Sequence, residues 1–197
     1  MSFTTGSLFH REAVELAQLY LDLGDWDAVR AKVVSENLLQ SRTLSALKRL
    51  CREVFPRLKT LSLGEIEFLV EGRYQEQAYL LWIAVCRRYR FIAEFAVEVL
   101  RERFITLKAD LSPEDFDSFF NRKAEWHSEL EEISQATRIR LRQVLFKMLR
   151  EADLLTPNNI INAAMPTPGF LSLISKGDPR EVLYFPIFES DLKGMVP

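Results

Sequence analysis

The residues able to carry out chemistry are few, and their spacing matches no catalytic or metal-binding pattern. The chain contains two histidines, His10 and His127, and two cysteines, Cys51 and Cys86. These residues lack the short spacings of metal ligands. No HExxH, GxGxxG or P-loop motif is present, and no Ser, Cys or His lies in a nucleophile motif. The sequence therefore predicts a protein that is not an enzyme and needs no metal or cofactor, so a binding function is the better hypothesis.

The most distinctive polar feature is the basic stretch from Ser41 to Lys59. At the helical spacing of about 100° per residue, its apolar side chains fall on one face: Leu44, Leu47, Leu50, Cys51, Val54 and Leu58. The opposite face carries Ser45, Lys48, Arg49 and Arg52. The stretch has a charge of about +5, whereas the formal net charge of the whole chain is −2. A helix with one apolar and one cationic face is typical of a protein that binds a polyanion.

The start of this helix is also suited to an anion. Arg42 and Thr43 lie where backbone N–H groups and the helix dipole favour a phosphate group. We therefore predict that the stretch contacts DNA; the alternative is an ordinary surface helix. The predicted DNA-binding residues of the stretch are Arg42, Thr43, Ser45, Lys48, Arg49, Arg52, Arg57 and Lys59.

Two further basic segments are candidates. A helix predicted to begin at Ser134 or Gln135 and to end at Leu154 adds Arg138 and Arg142 to the predicted DNA-binding residues. The alternative for this helix is a solvated surface whose arginines pair with the acidic segment before it. The cluster CRRYR at residues 86–90 suits backbone binding or stacking of a single strand.

Capping residues mark the beginnings and ends of the first helices. Ser7 is predicted to cap a helix that Gly24 ends, and Asp25 to cap a second helix over residues 26–39. Ser62 is predicted to cap a further short helix. The first part of the chain is therefore expected to be helical with short connections.

A short turn over residues 40–43 connects the second helix to the basic helix. Pro56 is expected to kink or end the basic helix near Phe55, because proline has no backbone N–H. Two helices on either side of a short turn, the second with a cationic face, form the pattern of a helix-turn-helix. The sequence therefore predicts an N-terminal helix-turn-helix domain over residues 1–72.

Residues 73–197 are predicted to form a second, helical domain. Its helices are expected over residues 73–88, 91–107, 113–126, 128–133 and 134–154. Ser112 and Pro113 favour the start of the third of these as N-cap and first residue. Residues 154–161 contain two strand-like runs around a turn, and a β-ribbon after a basic helix predicts a winged-helix-like end. The predicted fold class is mainly α.

The distribution of apolar residues suggests a compartment. The most apolar run, Ala78 to Cys86, covers about half the length of a membrane span and is predicted to be a core helix. The N-terminus lacks the pattern of a signal peptide. Two cysteines in helical apolar patterns are typical of buried free thiols in a reducing compartment. We therefore expect a cytoplasmic protein without membrane contact.

Several segments together resemble one protein family, from about Ser2 to Pro186. They are LYLDLGDWDAVR, RTLSALKRLCREV with RLKTL, QEQAYLLWIAVCRRYRFIAEFAVEVLRE, SPEDFDSFFNRKAEWH and TRIRLRQVLFKMLREADLL. They resemble the BrxA family, small accessory proteins of BREX bacteriophage-defence systems. The resemblance implies action on phage DNA beside a methyltransferase, a phosphatase-like protein and ATPases. It transfers no catalytic motif, and the family's likeness to the RNA-binding protein NusB makes RNA an alternative ligand.

Three functional hypotheses follow from the residues and the resemblance. The first is double-stranded DNA binding, mainly through phosphates, within a phage-defence assembly. The second is a scaffold that binds other BREX proteins through the segment 112–127, with aromatic anchors at Phe116, Phe119, Phe120 and Trp126. The third is an RNA-binding module.

Overall fold

The computed structural model describes residues 6–188, most of which are helical. Across this range the α-helices are α1 (His10–Leu23), α2 (Trp26–Glu36), α3 (Leu44–Leu58), α4 (Leu63–Glu71), α5 (Tyr74–Arg88), α6 (Arg90–Phe95), α7 (Glu102–Ile105), α8 (Pro113–Ala124), α9 (Ser128–Glu131), α10 (Gln135–Glu151) and α11 (Pro168–Ser175). A π-helical turn, Ala96–Arg101, joins α6 to α7, and a 3-10 helix covers Pro179–Tyr184. The prediction of a mainly α protein is confirmed.

The helices form two compact units. The N-terminal unit spans Leu8–Arg88 and contains α1 to α5. The C-terminal unit contains the described residues from Tyr89 onward, together with residues 6 and 7. Because α5 packs against α1, α3 and α4, it belongs to the N-terminal unit. The units therefore divide after Arg88, whereas the sequence places the domain boundary after Gly72.

Helix α5 contributes much of the core of the N-terminal unit. All residues from Ala78 to Cys86 are buried, which confirms the prediction of a core helix. None of the helices in residues 6–188 is both long enough and apolar enough to cross a membrane. Cys51 and Cys86 are buried, and neither forms a disulfide within residues 6–188. Burial raises the pKa of the Cys51 thiol, so this group stays protonated at neutral pH.

The predicted caps of the first helices are mostly present. The Asp25 carboxylate accepts hydrogen bonds from two backbone N–H groups of the first turn of α2, at 3.1 and 3.3 Å. Ser62 forms a capping box at the start of α4, and Gly24 ends α1 with a φ of 70°. Ser7 is not the N-cap of α1, because Phe9 takes that position with a φ of 55°.

Helix α3 continues through Pro56 to Leu58. The expectation that the helix ends near Phe55 is therefore wrong. Pro56 removes only one backbone hydrogen bond, the one to the carbonyl of Arg52. The last turn is retained because Phe55 and Leu58 are buried. In addition, the N–H of Lys59 donates to the Phe55 carbonyl at 2.9 Å.

An aromatic cluster forms part of the core of the C-terminal unit. The contributing rings are Phe91 and Phe95 of α6 and Phe116, Phe119 and Phe120 of α8. Contacting rings of the two helices have centroids 5.0–6.0 Å apart, mostly with edges toward faces. Helix α8 begins as predicted, with Ser112 as N-cap and Pro113 in its first turn. The cluster fixes α8 against α6.

The predicted β-ribbon over residues 154–161 is wrong. Within residues 6–188, strand pairing is limited to isolated β-bridges, which join Asp110 to Ile160 and Leu155 to Ile161. The N–H of Ile161 donates instead to the Ala109 carbonyl, at 2.7 Å, in the loop before α8. Pro157 has no N–H to donate, and Asn159 turns the chain with a φ of 63°. The segment therefore lacks the ladder of a two-stranded ribbon, and no winged-helix-like element forms in the described part of the chain.

Candidate nucleic-acid interface

The N-terminal unit presents a cationic surface on α3. Its exposed or half-buried polar and basic side chains form what we call the α3 basic face: Arg42, Ser45, Lys48, Arg49, Arg52 and Lys59. The buried side of the helix holds Leu47, Cys51, Val54 and Leu58, as predicted. Leu44, predicted on the buried side, is 54% exposed at the first position of the helix. The helix thus has the two faces that the sequence indicates.

The basic side chains of this face are not neutralised within the described residues. No carboxylate of residues 6–188 lies within salt-bridge distance of Arg42, Lys48, Arg49, Arg52 or Lys59. Arg52 donates from Nε to the Lys48 carbonyl at 3.3 Å, a bond that runs along its own helix. Cations without internal counter-ions raise the local potential and attract a polyanion.

A groove of about 620 Å³ lies between α2 and α3 beside the α3 basic face. Its lining residues are Asp27, Arg30, Ala31, Val34, Ser35, Lys48 and Arg52. Sequence reasoning missed Arg30, whose guanidinium carbon lies 5.9 Å from the centre of the Phe55 ring. The burial of Val29 and Val33 follows from the helical pattern, so the exposure of Arg30 was predictable. The sequence could not predict that this side of α2 lies beside Lys48 and Arg52.

Thr43 supports the start of α3 through its side chain. Its Oγ1 accepts a hydrogen bond from the N–H of Ala46 at 3.2 Å and lies 3.1 Å from the hydroxyl of Ser45. One of the N–H groups predicted to bind a phosphate is therefore already bonded within the protein. Thr43 is a capping residue in this structure.

Arg57 is buried and does not lie on the α3 basic face. Its side chain is 3% exposed, and its Nη2 donates to the Glu53 carboxylate at 3.1 Å. Its guanidinium carbon lies 5.7 Å from the centre of the Phe9 ring. Burial and neutralisation keep Arg57 from a phosphate, so it leaves the set of predicted contacts and instead links α3 to the start of α1.

The predicted contacts of α10 are paired inside the C-terminal unit. Arg138 donates from Nε to Asp117 Oδ1 at 2.9 Å, and Arg142 donates to Asp117 Oδ2 at 2.6 Å. Arg138 also donates to the side-chain oxygen of Asn121 at 2.7 Å and lies 4.6 Å from the Phe120 ring centre. These two arginines therefore pair with the acidic segment before α10, which is the alternative that the sequence left open.

The cluster at residues 86–90 also contains a structural ion pair. Arg87 donates to both carboxylate oxygens of Glu65, at 2.7 and 2.8 Å. Burial by itself would raise the pKa of Glu65, but hydrogen bonds from Arg87 and from the N–H of Ser62 outweigh it and hold this pKa below its usual value. The pair fastens α4 to α5, so Arg87 is not a candidate for binding a ligand.

The connection between α2 and α3 differs from the predicted short turn. It covers residues 37–43, whereas a helix-turn-helix usually has a turn of about three to four residues. Asn37, with a φ of 48°, orders the connection. Its side chain donates to the Ser41 carbonyl at 3.1 Å and accepts from the Ser41 N–H at 3.0 Å. The connection is ordered but longer than the turn that defines the motif, so the helix-turn-helix stays a prediction.

The two histidines lie outside the α3 basic face. His10 packs against Tyr74, with ring centroids 4.1 Å apart, and His127 immediately precedes α9. In the described part of the chain, no three His, Cys, Asp or Glu side chains are grouped as metal ligands would be.

Burial separates the anchors predicted for a protein partner in residues 112–127. Phe116, Phe119 and Phe120 are buried in the aromatic cluster. Trp126, by contrast, is 83% exposed. Of these four aromatic residues, Trp126 alone can reach a partner without unfolding of α8.

The fold is similar to that of a protein of known structure from Magnetospirillum magneticum, which is itself described as uncharacterized. The TM-score is 0.77 at 20% sequence identity, and the match covers 91% of this chain and 93% of that chain. At this identity the likeness shows the fold alone. Together, the fold and the α3 basic face define a helical protein with a cationic surface on one helix.

Comparison of the sequence defines the family. The chain belongs to the BrxA family, whose sequence profile matches residues 1–178. A BREX protein BrxA from Bacillus cereus (strain H3081.97) is 29% identical over 127 residues, 64% of each chain. A second BREX protein BrxA, from Escherichia coli O9:H4 (strain HS), is 26% identical over 147 residues, 75% of this chain and 69% of that protein. The match thus spans slightly less than two thirds of the Bacillus relative.

Proposed function

We propose that this protein binds double-stranded DNA through the α3 basic face, mainly by phosphate contacts, as an accessory component of a BREX phage-defence system. One observation carries the proposal: the basic side chains of this face have no salt bridge within the described residues. Phosphate oxygens are natural counter-ions for arginine and lysine. The defence context rests on membership of the BrxA family and on the names of its relatives.

The proposed phosphate contacts come from two helices and the connection between them. They are Arg30 of α2, Arg42 of the connection, and Lys48, Arg49, Arg52 and Lys59 of α3 or its C-terminal end. Contacts to phosphates carry no base information, so the affinity should depend little on sequence. Ser45, exposed on the same face, is the proposed short polar contact to the backbone.

The partners expected from the family remain part of the proposal. Other BREX proteins, a methyltransferase, a phosphatase-like protein and ATPases among them, would act on the DNA that this protein holds. RNA is the competing ligand, because a cationic face attracts any nucleic acid.

The test is the binding of a fluorescently labelled DNA duplex at low salt, measured by fluorescence anisotropy. The double variant Arg49→Glu with Arg52→Glu should abolish binding, because two cations become anions at the centre of the face. The matched control is Arg11→Glu with Arg73→Glu, which makes the same charge change at exposed arginines of the same unit. Circular dichroism of both variants checks that the helices are intact.

Three results would overturn the proposal, the third of them a preference for RNA. Either the Arg49→Glu, Arg52→Glu variant binds the duplex as the wild type does, or the control variant loses binding equally. Unlabelled RNA that displaces the duplex at a much lower concentration than unlabelled DNA would replace DNA by RNA as the ligand.

A further inference from the structure

Trp126 is the most exposed of the large apolar side chains in residues 6–188, at 83%. The other two tryptophans differ from it, since Trp82 is fully buried and Trp26 is half-buried and stacked on Tyr20 with ring centroids 4.1 Å apart. Leaving a tryptophan in water forgoes the burial of a large apolar surface. Tryptophan is also the residue type most enriched among the central contacts of protein interfaces. The fold gives no structural reason for this side chain.

Trp126 lies in the turn between α8 and α9. Residues on both sides of this turn, Ala124 and Leu130, line a groove of about 820 Å³. The N–H of His127 donates to the carbonyl of Ala124 at 3.2 Å, so the turn begins at a residue that lines the groove. The accessible apolar wall of the groove consists of Ala124, Ile133 and Ile139. Ile139 is itself 39% exposed. The turn thus carries an exposed indole two residues after a residue of the groove wall, and apolar side chains of a partner can cover both.

The exposed charges around this turn indicate the chemistry of the partner. Glu125, Glu129, Glu131 and Glu132 are exposed around this turn, and none has a salt bridge within the described residues. The arginines that line the groove, Arg138 and Arg142, are already bonded to Asp117. Four carboxylates without counter-ions repel phosphates and attract lysine and arginine side chains.

We propose that the turn carrying Trp126 and the apolar wall beside it bind a basic amphipathic segment of another protein. Apolar side chains of the segment cover the indole and the wall around Ile139. Its lysine or arginine side chains meet the four carboxylates, and one of them stacks over the ring. This surface belongs to the C-terminal unit, whereas the α3 basic face belongs to the N-terminal unit, so the two functions are separable by mutation.

The probe for this surface is a labelled synthetic amphipathic peptide of lysine and leucine, titrated with the full chain and followed by fluorescence anisotropy. Trp126→Ala should weaken binding at least about tenfold, which corresponds to about 1.4 kcal/mol. The matched control is Tyr74→Ala, which removes another exposed aromatic side chain, 66% exposed, from the N-terminal unit. The control should bind as the wild type does, and a peptide of glutamate and leucine should not bind. Glu125→Lys with Glu129→Lys should weaken binding of the lysine peptide.

Three results would overturn this proposal. Trp126→Ala could leave peptide binding unchanged, or Tyr74→Ala could weaken it as much. The third result would come from sedimentation velocity: the wild type self-associates and Trp126→Ala abolishes the association. A second copy of this chain would then be the occupant of the surface. Duplex binding by Trp126→Ala should remain at the wild-type level, which keeps this test distinct from that of the α3 basic face.

Discussion

Three arginines of one helix show how strongly local environment decides the role of a residue. Arg49 and Arg52 are exposed, whereas Arg57 is buried beside Glu53. All three contribute equally to the charge of the stretch. Because a phosphate can replace water around an exposed guanidinium but cannot reach a buried one, only the first two suit a nucleic acid.

Arg30 provides a test of the groove at the level of a single residue. Arg30→Ala should weaken duplex binding by up to about tenfold and reduce the steepness of its salt dependence by about one unit, as the loss of one phosphate contact requires. The measurement is a salt titration of duplex affinity. Lys32→Ala is the matched control, because Lys32 is exposed about 200° away around α2. Equal losses in the two variants would contradict a specific contribution from the groove.

The pair of Glu65 and Arg87 makes a prediction about stability. Glu65→Gln should lower the free energy of unfolding at neutral pH by about 3 kcal/mol, because Arg87 would remain largely buried without a full counter-charge. Urea unfolding followed by circular dichroism measures the change. The control Glu67→Gln alters an exposed carboxylate of the same helix and should change the free energy by less than about 0.5 kcal/mol.

The same pair sets the pH dependence of stability. Because the pKa of Glu65 is lower in the folded protein than its ordinary value of 4.5, its contribution is complete above about pH 4.5. The contribution is lost as the pH falls through the folded pKa. The wild type and Glu65→Gln should therefore approach each other in stability on acidification. A constant difference down to the lowest pH at which both fold would contradict this assignment.

At the scale of the element, α3 and α10 carry similar numbers of basic residues but use them differently. The cations of the α3 basic face have no salt bridge within residues 6–188, whereas Arg138 and Arg142 share Asp117 of α8. The neighbouring helix makes this difference. Helix α10 lies beside an acidic helix of its own unit, while the groove beside α3 contains one carboxylate among its lining residues, that of Asp27.

Asp117→Asn tests this division of roles. The variant should lose about 1–2 kcal/mol of stability, because two charge-assisted hydrogen bonds weaken together, while its affinity for a DNA duplex should stay within about twofold of the wild type. Thermal unfolding and fluorescence anisotropy measure the two quantities. Glu114→Gln, at an exposed position of the same helix, controls for the change in net charge. A strong rise in affinity for Asp117→Asn alone would show that the freed arginines bind phosphates.

At the scale of the whole molecule, net charge is a poor guide to function. The chain has a net charge of −2, yet each unit carries a surface of a different sign: the α3 basic face in one and the carboxylates around Trp126 in the other. Exposed charges further apart than the Debye length, about 8 Å at physiological salt, are largely screened from one another. A bound molecule therefore responds mainly to the charges within about this distance of it.

The proposed interface predicts the salt dependence of the intact protein. If four to six phosphates are contacted, the logarithm of the duplex affinity should fall with the logarithm of salt concentration with a slope of about −4 to −5. Titration of the wild type with monovalent salt measures this slope. A slope shallower than about −2 would indicate that contacts other than phosphate neutralisation dominate binding.

The local features of this protein are readable from its amino-acid sequence. Helical periodicity gave the two faces of α3, and short-range caps such as Asp25, Ser62 and Ser112 were readable because a cap depends on residues only a few positions away. The end of α3 was predicted too early, near Phe55, because burial of the turn around Pro56 outweighs one lost hydrogen bond. The β-ribbon was misread because its hydrogen bonds go partly to the distant loop at residues 109–111.

Which charged side chains remain without a salt bridge depends on the packing of the helices. Arg57 pairs with Glu53 and packs on Phe9. Arg138 and Arg142 both pair with Asp117. Within residues 6–188, no carboxylate forms a salt bridge with the α3 basic face. Packing of α2 against α3 also places Arg30 beside Lys48 and Arg52. Packing likewise buries the phenylalanines of α8 but leaves Trp126 exposed. Whether a side chain is neutralised, buried or exposed depends on which helices pack together, and that packing brings together residues far apart in the sequence.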